Sequence, residues 1–406
     1  MLIAWFELVK MKRDWQMHKI LKLEPFGIRF FPILLSIVLA SCVSVQHTPV
    51  PKELVEQAEI PTFSGVRTFA DEISPEFHAG MAERREQLVE SGLISKPAHI
   101  IAFSGGGENG AFGAGLLNGW TASGSRPEFE IVSGVSTGAL IAPLAFLGPE
   151  YDDDLERFYT GISTKDVMIA NPVGGLMGGA ALASNTPLKN MIAGIVDEDM
   201  LRQIAEEHQR GKRLIVVTTN LEAQRPVAWN MGAIAAKGTP EALELFRSVL
   251  LASAAIPGAF PPVTLKVEAN GRFYTELQVD GGTTANSFLA PLNAQFPAVV
   301  KNRKNYVYVV QDGKLEPEHK DLDRKTLKLA GRAIGTLLKY KNYADIRRLY
   351  LLAKQNGASF QLTSVPSSFD AKGKEPFDKT YMNALYQVGY SMGKSGNGWV
   401  KNPELF

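Results

Sequence analysis

One cysteine, Cys42, stands in 406 residues, so no disulfide can form within the chain. Excess charge is missing as well. Lys and Arg number 43 and Asp and Glu 42, for a net charge of +1. That balance gives no case for nucleic acid as a partner, since phosphate backbones are held by a surplus of cations. The apolar run from Phe30 to Ala40 falls short of the ~20 residues a membrane-spanning helix needs. Histidines number six, and no internal repeat is present. The 45% apolar content argues for a sizeable core and against disorder.

Glycine is plentiful, at 37 residues, and its placement carries the chemistry. Gly134-Val135-Ser136-Thr137-Gly138 has the G-x-S-x-G form of a nucleophile elbow. The stretch Phe129 to Val132 ahead of it reads as a strand, and Ala139 to Leu147 behind it reads as a helix. A turn between them can hold a serine hydroxyl clear of a sheet. Glycines at 134 and 138 permit the tight turn, because a Cβ there would clash. The helix start favours the negative charge that develops on attack.

Upstream, the strand-like His99 to Phe103 runs into Ser104-Gly105-Gly106-Gly107-Glu108-Asn109-Gly110-Ala111, and a helix follows from Phe112 to Trp120. The consecutive glycines Gly105, Gly106 and Gly107 expose N–H groups that can converge on one oxygen, as in an oxyanion hole. The alternative for this loop is a phosphate cradle for a nucleotide, although the Lys-Ser/Thr of a P-loop is missing. Far downstream, an apolar stretch from Arg272 to Val279 delivers Asp280 ahead of Gly281-Gly282. An ordinary Asp-Gly turn reads the same way.

In this order the three pieces resemble the patatin-like phospholipase family: a glycine triplet, then G-x-S-x-G, then D-G-G. A fourth block, Ser253-Ala254-Ala255-Ile256-Pro257-Gly258-Ala259-Phe260-Pro261-Pro262, is similar to the family's S-x-A-x-P-x-x-F-P-P segment. The resemblance covers residues 97 to 290. It implies a three-layer α/β/α fold with a mainly parallel central sheet. It also implies a Ser-Asp dyad without histidine, with Ser136 as nucleophile, Asp280 as base and then acid, and Gly105 to Gly107 as oxyanion donors. The reaction is acyl transfer through an acyl-serine, with water as second acceptor. No cofactor or metal is implied. The acidic triplet Asp152-Asp153-Asp154 reads as the cap and first turn of a helix. The chain departs from the family at Glu108-Asn109, where the pattern carries a cation.

An ordinary aspartate, with a pKa near 3.9, is a poor base for a serine hydroxyl. Desolvation would strengthen Asp280. The histidines agree with a dyad. His18 lies in the leader, His47 follows the cysteine, His78 opens a helix, His99 starts a strand, and His208 sits on the solvated side of a charged helix. Only His319, in a polar loop, follows Asp280 in the order of a Ser-Asp-His triad.

Arg29, the apolar run and Leu39-Ala40-Ser41-Cys42 resemble a secretory signal ending in a bacterial lipobox. The resemblance implies cleavage before Cys42 and diacylation of its sulfur, which gives a stable membrane anchor. Val43 after the cysteine implies the outer membrane. The leader is long, and Met11 or Met17 is an alternative start.

The expected organisation is a signal peptide over 1–41, a lipidated tether and lead-in over 42–75, and a catalytic domain over 76–300. Residues 301–406 complete or flank that domain. Strands are expected at Ile100 to Phe103, Phe129 to Val132, Leu214 to Thr218, Phe273 to Val279 and Tyr306 to Val310. Helices are expected at Glu76 to Gly92, Phe112 to Trp120, Ser136 to Leu147, Glu198 to Gln209 and Pro240 to Ala252. This alternation predicts a sheet covered on both faces, with the site at the C-terminal strand edges. Asn171 to Ala183 reads as an apolar, glycine-rich lid or a packed connection. Arg324 to Arg348 reads as a basic amphipathic helix, either solvated or lying on anionic lipid. The substrate expected from the resemblance is phospholipid or another acyl ester. The rivals are an esterase or acyltransferase acting on a non-phospholipid ester, and a catalytically silent lipid-binding lipoprotein.

Overall fold

The computed structural model describes residues 47–73, 75–171, 179–290 and 303–403. Cys42, its leader and most of the Asn171–Ala183 segment lie outside the described residues. The strands are β1 (Arg67–Phe69), β2 (Ala98–Phe103), β3 (Ile131–Val135), β4 (Ile169–Ala170), β5 (Ala183–Ser184), β6 (Arg213–Asn220), β7 (Arg225–Asn230), β8 (Val263–Ala269), β9 (Arg272–Asp280), β10 (Asn305–Gln311) and β11 (Ser359–Ser364). The helices are α1 (Pro75–Glu90), α2 (Gly110–Ala122), α3 (Thr137–Leu147), α4 (Asp152–Thr160), α5 (Thr164–Val167), α6 (Thr186–Ile195), α7 (Glu198–Gln209), α8 (Met231–Ala235), α9 (Pro240–Ser253), α10 (Thr326–Gln355) and α11 (Lys379–Ser395).

The main sheet runs β1-β7-β6-β3-β2-β10-β11. Strands β6, β3, β2, β10 and β11 are mutually parallel. Both faces are covered, which explains why these strands read as unbroken apolar runs. In β2, Ile101 and Phe103 enter the large core with helices α2, α3, α9 and α11. Ile100 and Ala102 face the other way, into a second core with Ile346 and Leu349 of α10. The fold is thus α/β, with helices on both faces of a mainly parallel sheet.

The C-terminal quarter belongs to this body. β10 lies inside the sheet, between β2 and β11, and α11 packs on α2 at backbone contact distance. A Cβ on Gly115 would lie 2.0 Å from the Tyr386 carbonyl oxygen, and one on Gly389 would lie 2.2 Å from that of Phe112. Glycine at both positions lets the two helices touch.

Three features depart from or add to these expectations. First, the segment expected as tether and lead-in over 42–75 is in part core, because Ala58, Ile60, Phe63 and Val66 are buried. Second, β9 is antiparallel to its neighbours and forms a hairpin with β8. Third, His208 is buried rather than solvated. Its ring lies against Gly232 of α8, and burial lowers its pKa to about 4.

Candidate active site

The reversed direction of β9 brings the two key side chains together. β7 occupies one edge of β6 from Ile215 to Asn220. β3 pairs along the opposite edge as far as Val135 beside Val217. β9 pairs at Thr218 to Asn220 and takes the space beyond the end of β3, with Asp280 beside Thr218. β3 running up and β9 running down therefore meet end to end on one edge. The residue after Val135 is Ser136, and the last residue of β9 is Asp280. The site lies at the C-terminal edge of the parallel strands, but Asp280 enters it from an antiparallel strand.

Ser136 has φ 55° and ψ −122°, a left-handed backbone that a non-glycine residue adopts only when its surroundings force it. The forcing contacts are visible. A Cβ on Gly134 would lie 2.2 Å from the Gly138 carbonyl oxygen, and one on Gly138 would lie 2.4 Å from that of Phe103. The Ser136 N–H donates to Ser253 Oγ at 3.0 Å, and Ser253 Oγ donates to the Val217 carbonyl at 2.7 Å. Ser136 Oγ donates to Asp280 Oδ2 at 2.6 Å.

Asp280 is held on every side. Its Oδ1 accepts from the Gly282 N–H at 2.7 Å, and its own N–H donates to the Ala255 carbonyl at 2.9 Å. The Ser253–Pro262 block is therefore a brace: Ser253 holds the serine's amide and Ala255 holds the aspartate's. Burial raises the Asp280 pKa to about 6, against the hydrogen bonds from Ser136 and Gly282 and the charge of Lys341. The carboxylate stays ionised near neutral pH and is a stronger base than a free one.

The glycine loop follows β2 at the same edge. Of the three glycines expected to donate, Gly105 is already committed. Its N–H donates to the Asn286 carbonyl at 3.0 Å, and Asn286 Nδ2 donates back to the Gly105 carbonyl at 3.2 Å. Among the described residues, nothing accepts from the N–H groups of Gly106 and Gly107. A Cβ on Gly105 would come within 3.1 Å of Ser136 Cβ, so the loop lies directly against the serine. Glu108 and Asn109, the departures from the family pattern, point into structure. Glu108 accepts from the Phe377 N–H, and Asn109 accepts from Tyr381 Oη at 2.6 Å.

Four contributors gave no signal in the sequence. Ser253 lay within a recognised block but had no assigned role. Asn286 bridges to the glycine loop. Lys341 of α10 donates to the Gly282 carbonyl at 3.1 Å, with Asp345 at 3.8 Å. Burial lowers its pKa to about 8, against the charges of Asp345 and Asp280. Asp312, after β10, is buried behind the glycine loop, where a Cβ on Gly106 would lie 2.2 Å from its carbonyl oxygen. Desolvation raises its pKa well above the usual carboxylate range. These partners join segments from 59 residues apart (Lys341 and Gly282) to 208 apart (Asp312 and Ser104), so no local pattern announces them.

Beside Ser136 and Gly107 lies an apolar slot of ≈ 30 Å³, lined by Leu140, Phe158, Ile162, Leu188, Met191 and Phe260 among others. That volume holds little more than a water molecule. Among the described residues, no histidine hydrogen-bonds to Ser136 or Asp280. His319 is exposed and lies 3.4 Å from Asp321. Asp152 to Asp154 form the first turn of α4, with Asp152 paired to Arg126 at 2.7 Å.

Residues 101–293 match the family model of patatin-like phospholipases. The chain carries a patatin-like phospholipase domain. Ser136, Asp280 and the glycine loop all fall inside the patatin-like region, whereas Lys341 and Asp312 fall outside it. Similar solved structures include VipD from Legionella pneumophila, at 13% identity over 74% of this chain and 67% of that one, with a TM-score of 0.36. Human GIVD cytosolic phospholipase A2 is similar at 10% identity over 83% and 64%, with a TM-score of 0.37. The SpcU–ExoU complex of the Pseudomonas aeruginosa type III secretion system contains a chain similar at 12% identity over 74% and 52%, with a TM-score of 0.28. The chain therefore spans about two thirds of the first two in length and half of the third. No curated protein matches the chain. The patatin-like family supports lipid acyl hydrolysis as the activity.

Proposed function

We propose that the protein is a metal-independent serine lipid acyl hydrolase of phospholipase A type working through a Ser136–Asp280 dyad. The observation that carries this reading is the 2.6 Å hydrogen bond from Ser136 Oγ to Asp280 Oδ2 on a strained elbow. Ser136 Oγ attacks the acyl carbonyl carbon, and its proton passes to Asp280. The negative charge moves to the carbonyl oxygen, where the Gly106 and Gly107 N–H groups receive it, each worth roughly 2.7–4 kcal/mol if it acts like a typical oxyanion-hole donor. Collapse expels the alcohol, which takes the proton from Asp280, and leaves an acyl-serine. Water then repeats the sequence, releasing the fatty acid and restoring Ser136. The acyl chain enters the apolar slot, whose walls must part to admit it.

The test is hydrolysis of short- and long-chain p-nitrophenyl esters and phospholipid micelles with EDTA present, alongside Ser136→Ala, Asp280→Asn and His319→Ala. Activity absent from the first two variants and intact in the third supports the dyad. Loss in a folded His319→Ala protein replaces the dyad with a triad. Loss on adding EDTA to the wild type defeats metal independence. Inactivity of the wild type on every ester leaves the silent lipid-binding lipoprotein. Turnover confined to non-phospholipid esters leaves an esterase or acyltransferase.

We also propose that the chain is anchored in the bacterial outer membrane by diacylated Cys42, which the Leu39-Ala40-Ser41-Cys42 segment supports. Among the described residues, no helix is long and apolar enough to cross a membrane. Labelled palmitate should enter the wild type and not Cys42→Ser. Equal incorporation refutes the anchor.

A further inference from the structure

The 30 residues of α10 make a rod of about 45 Å, and its two halves differ. The C-terminal half is built into the protein: Ile346, Leu349, Leu352 and Ala353 are buried. The N-terminal half exposes Leu329, Ile334, Leu337, Leu338 and Tyr340, with Leu337 71% accessible. Every residue from Ala333 to Leu338 is exposed, and none carries charge. A helix that merely faces water shows polar residues on its outer side. A contiguous exposed apolar stretch marks an interaction surface.

Cations flank this stretch. From residue 324 to 348 the chain carries Arg324, Lys325, Lys328, Arg332, Lys339, Lys341, Arg347 and Arg348 against the single acid Asp345. The neighbouring loop offsets part of that charge, with Asp323 on Lys328 and Glu318 on Lys339. Arg324, Lys325 and Arg347 remain exposed. Apolar side chains for an acyl layer, an aromatic for its boundary and cations for anionic headgroups make the pattern of an interfacial helix.

Its location ties it to the site. Leu337 and Leu338 precede Lys341 by four and three residues, so they share a face and lie one turn away. Lys341 bonds the Gly282 carbonyl, two residues past Asp280. Asp345, one turn further on, accepts from the Asn286 N–H at 2.7 Å, and Asn286 holds the glycine loop.

We propose that the N-terminal half of α10, centred on Ile334, Leu337 and Leu338, docks on an anionic lipid bilayer and so sets the Ser136 edge of the sheet against that bilayer. The choice of a bilayer over another apolar partner rests on the lipid-hydrolase reading. The test reads binding alone, so it stands or falls apart from catalysis.

Full-length Cys42→Ser protein, which cannot be acylated, is sedimented with phosphatidylglycerol/phosphatidylethanolamine vesicles and with phosphatidylcholine vesicles. The expected result is binding to the anionic vesicles that weakens with salt. Leu337→Glu together with Leu338→Glu should lower it at least about tenfold, while hydrolysis of a soluble short-chain ester stays unchanged. Leu351→Glu, an exposed leucine in the embedded half of the helix, should bind as the parent does. A second measurement does not depend on a charged variant folding. Leu337→Cys in the same background holds the only thiol, and a nitrobenzoxadiazole probe there should shift to the blue on anionic vesicles. Unchanged binding by the double variant, or a probe that does not respond, overturns the proposal. A concentration-dependent dimer of the parent that the double variant abolishes also overturns it, in favour of a second copy of the chain.

Discussion

Replacing Asp280 with asparagine should stabilise the protein at neutral pH while abolishing its activity. The side chain is buried, and desolvation lifts its pKa from 3.8 to about 6. Such a carboxyl binds its proton more tightly in the folded chain than in the unfolded one. Its contribution is therefore fully favourable below pH 3.8 and is lost as pH rises through about 6. A rise of about two pH units corresponds to about 3 kcal/mol of penalty for the ionised form. Asparagine keeps the acceptor for the Gly282 N–H and the shape of the side chain, and it carries no charge. Urea midpoints for wild type and Asp280→Asn should thus converge near pH 4. They should separate as pH rises, with the variant ahead by about 3 kcal/mol at pH 8. The kcat/KM of the wild type should rise over the same interval, because the ionised form is the base. A stability difference that stays flat from pH 4 to pH 8 would refute the claim that Asp280 is a strained, desolvated carboxylate.

Three further outcomes follow from the packing. Ser253→Ala leaves the Ser136 N–H buried without its acceptor, which costs about 1–3 kcal/mol; urea unfolding should show that loss, and kcat on a soluble ester should fall with the fold intact. Asp312→Asn removes a carboxyl that burial holds well above its ordinary pKa, so the variant should match wild type in acid and exceed it in stability as pH rises, by the same sign as Asp280→Asn. Glu130→Ala strands Arg84 and Arg303, both of which it pairs in a buried site at the start of β3; thermal unfolding should report roughly 3–5 kcal/mol of destabilisation.

Much of the catalytic edge was legible because glycine signals are local. The elbow at Gly134–Gly138 and the loop at Gly105–Gly106 each need close approaches that a Cβ would block, and Gly107 has a positive φ. β2, β3, β6 and β10 were legible because burial on both faces makes them continuously apolar. The direction of β9 was left unread although a signal was present. Asn270 and Gly271 both have positive φ, and Asn-Gly between two alternating stretches is a strong mark of a hairpin. Reading it would have supplied β8 and given β9 its direction. Nothing local marks the pairing of Gly105 with Asn286, 181 residues away. Nor does anything local mark the approach of Lys341 to the Asp280 loop. Residues 58–66 fell within the expected tether and lead-in because Pro61 and neighbouring polar side chains hide the buried Ile60, Phe63 and Val66. His208 lay in a helix rich in charged residues, and only the packing of α7 on α8 shows it buried.

The central claim is that Ser136 is a nucleophile activated by Asp280, and covalent labelling tests it most directly. A fluorophosphonate reacts with an activated serine and leaves a stable adduct that intact mass and peptide mapping locate. The account predicts one adduct per chain, on Ser136, formed with EDTA present, absent in Ser136→Ala and strongly slowed in Asp280→Asn. Labelling at another residue, or undiminished labelling in Asp280→Asn, would contradict it.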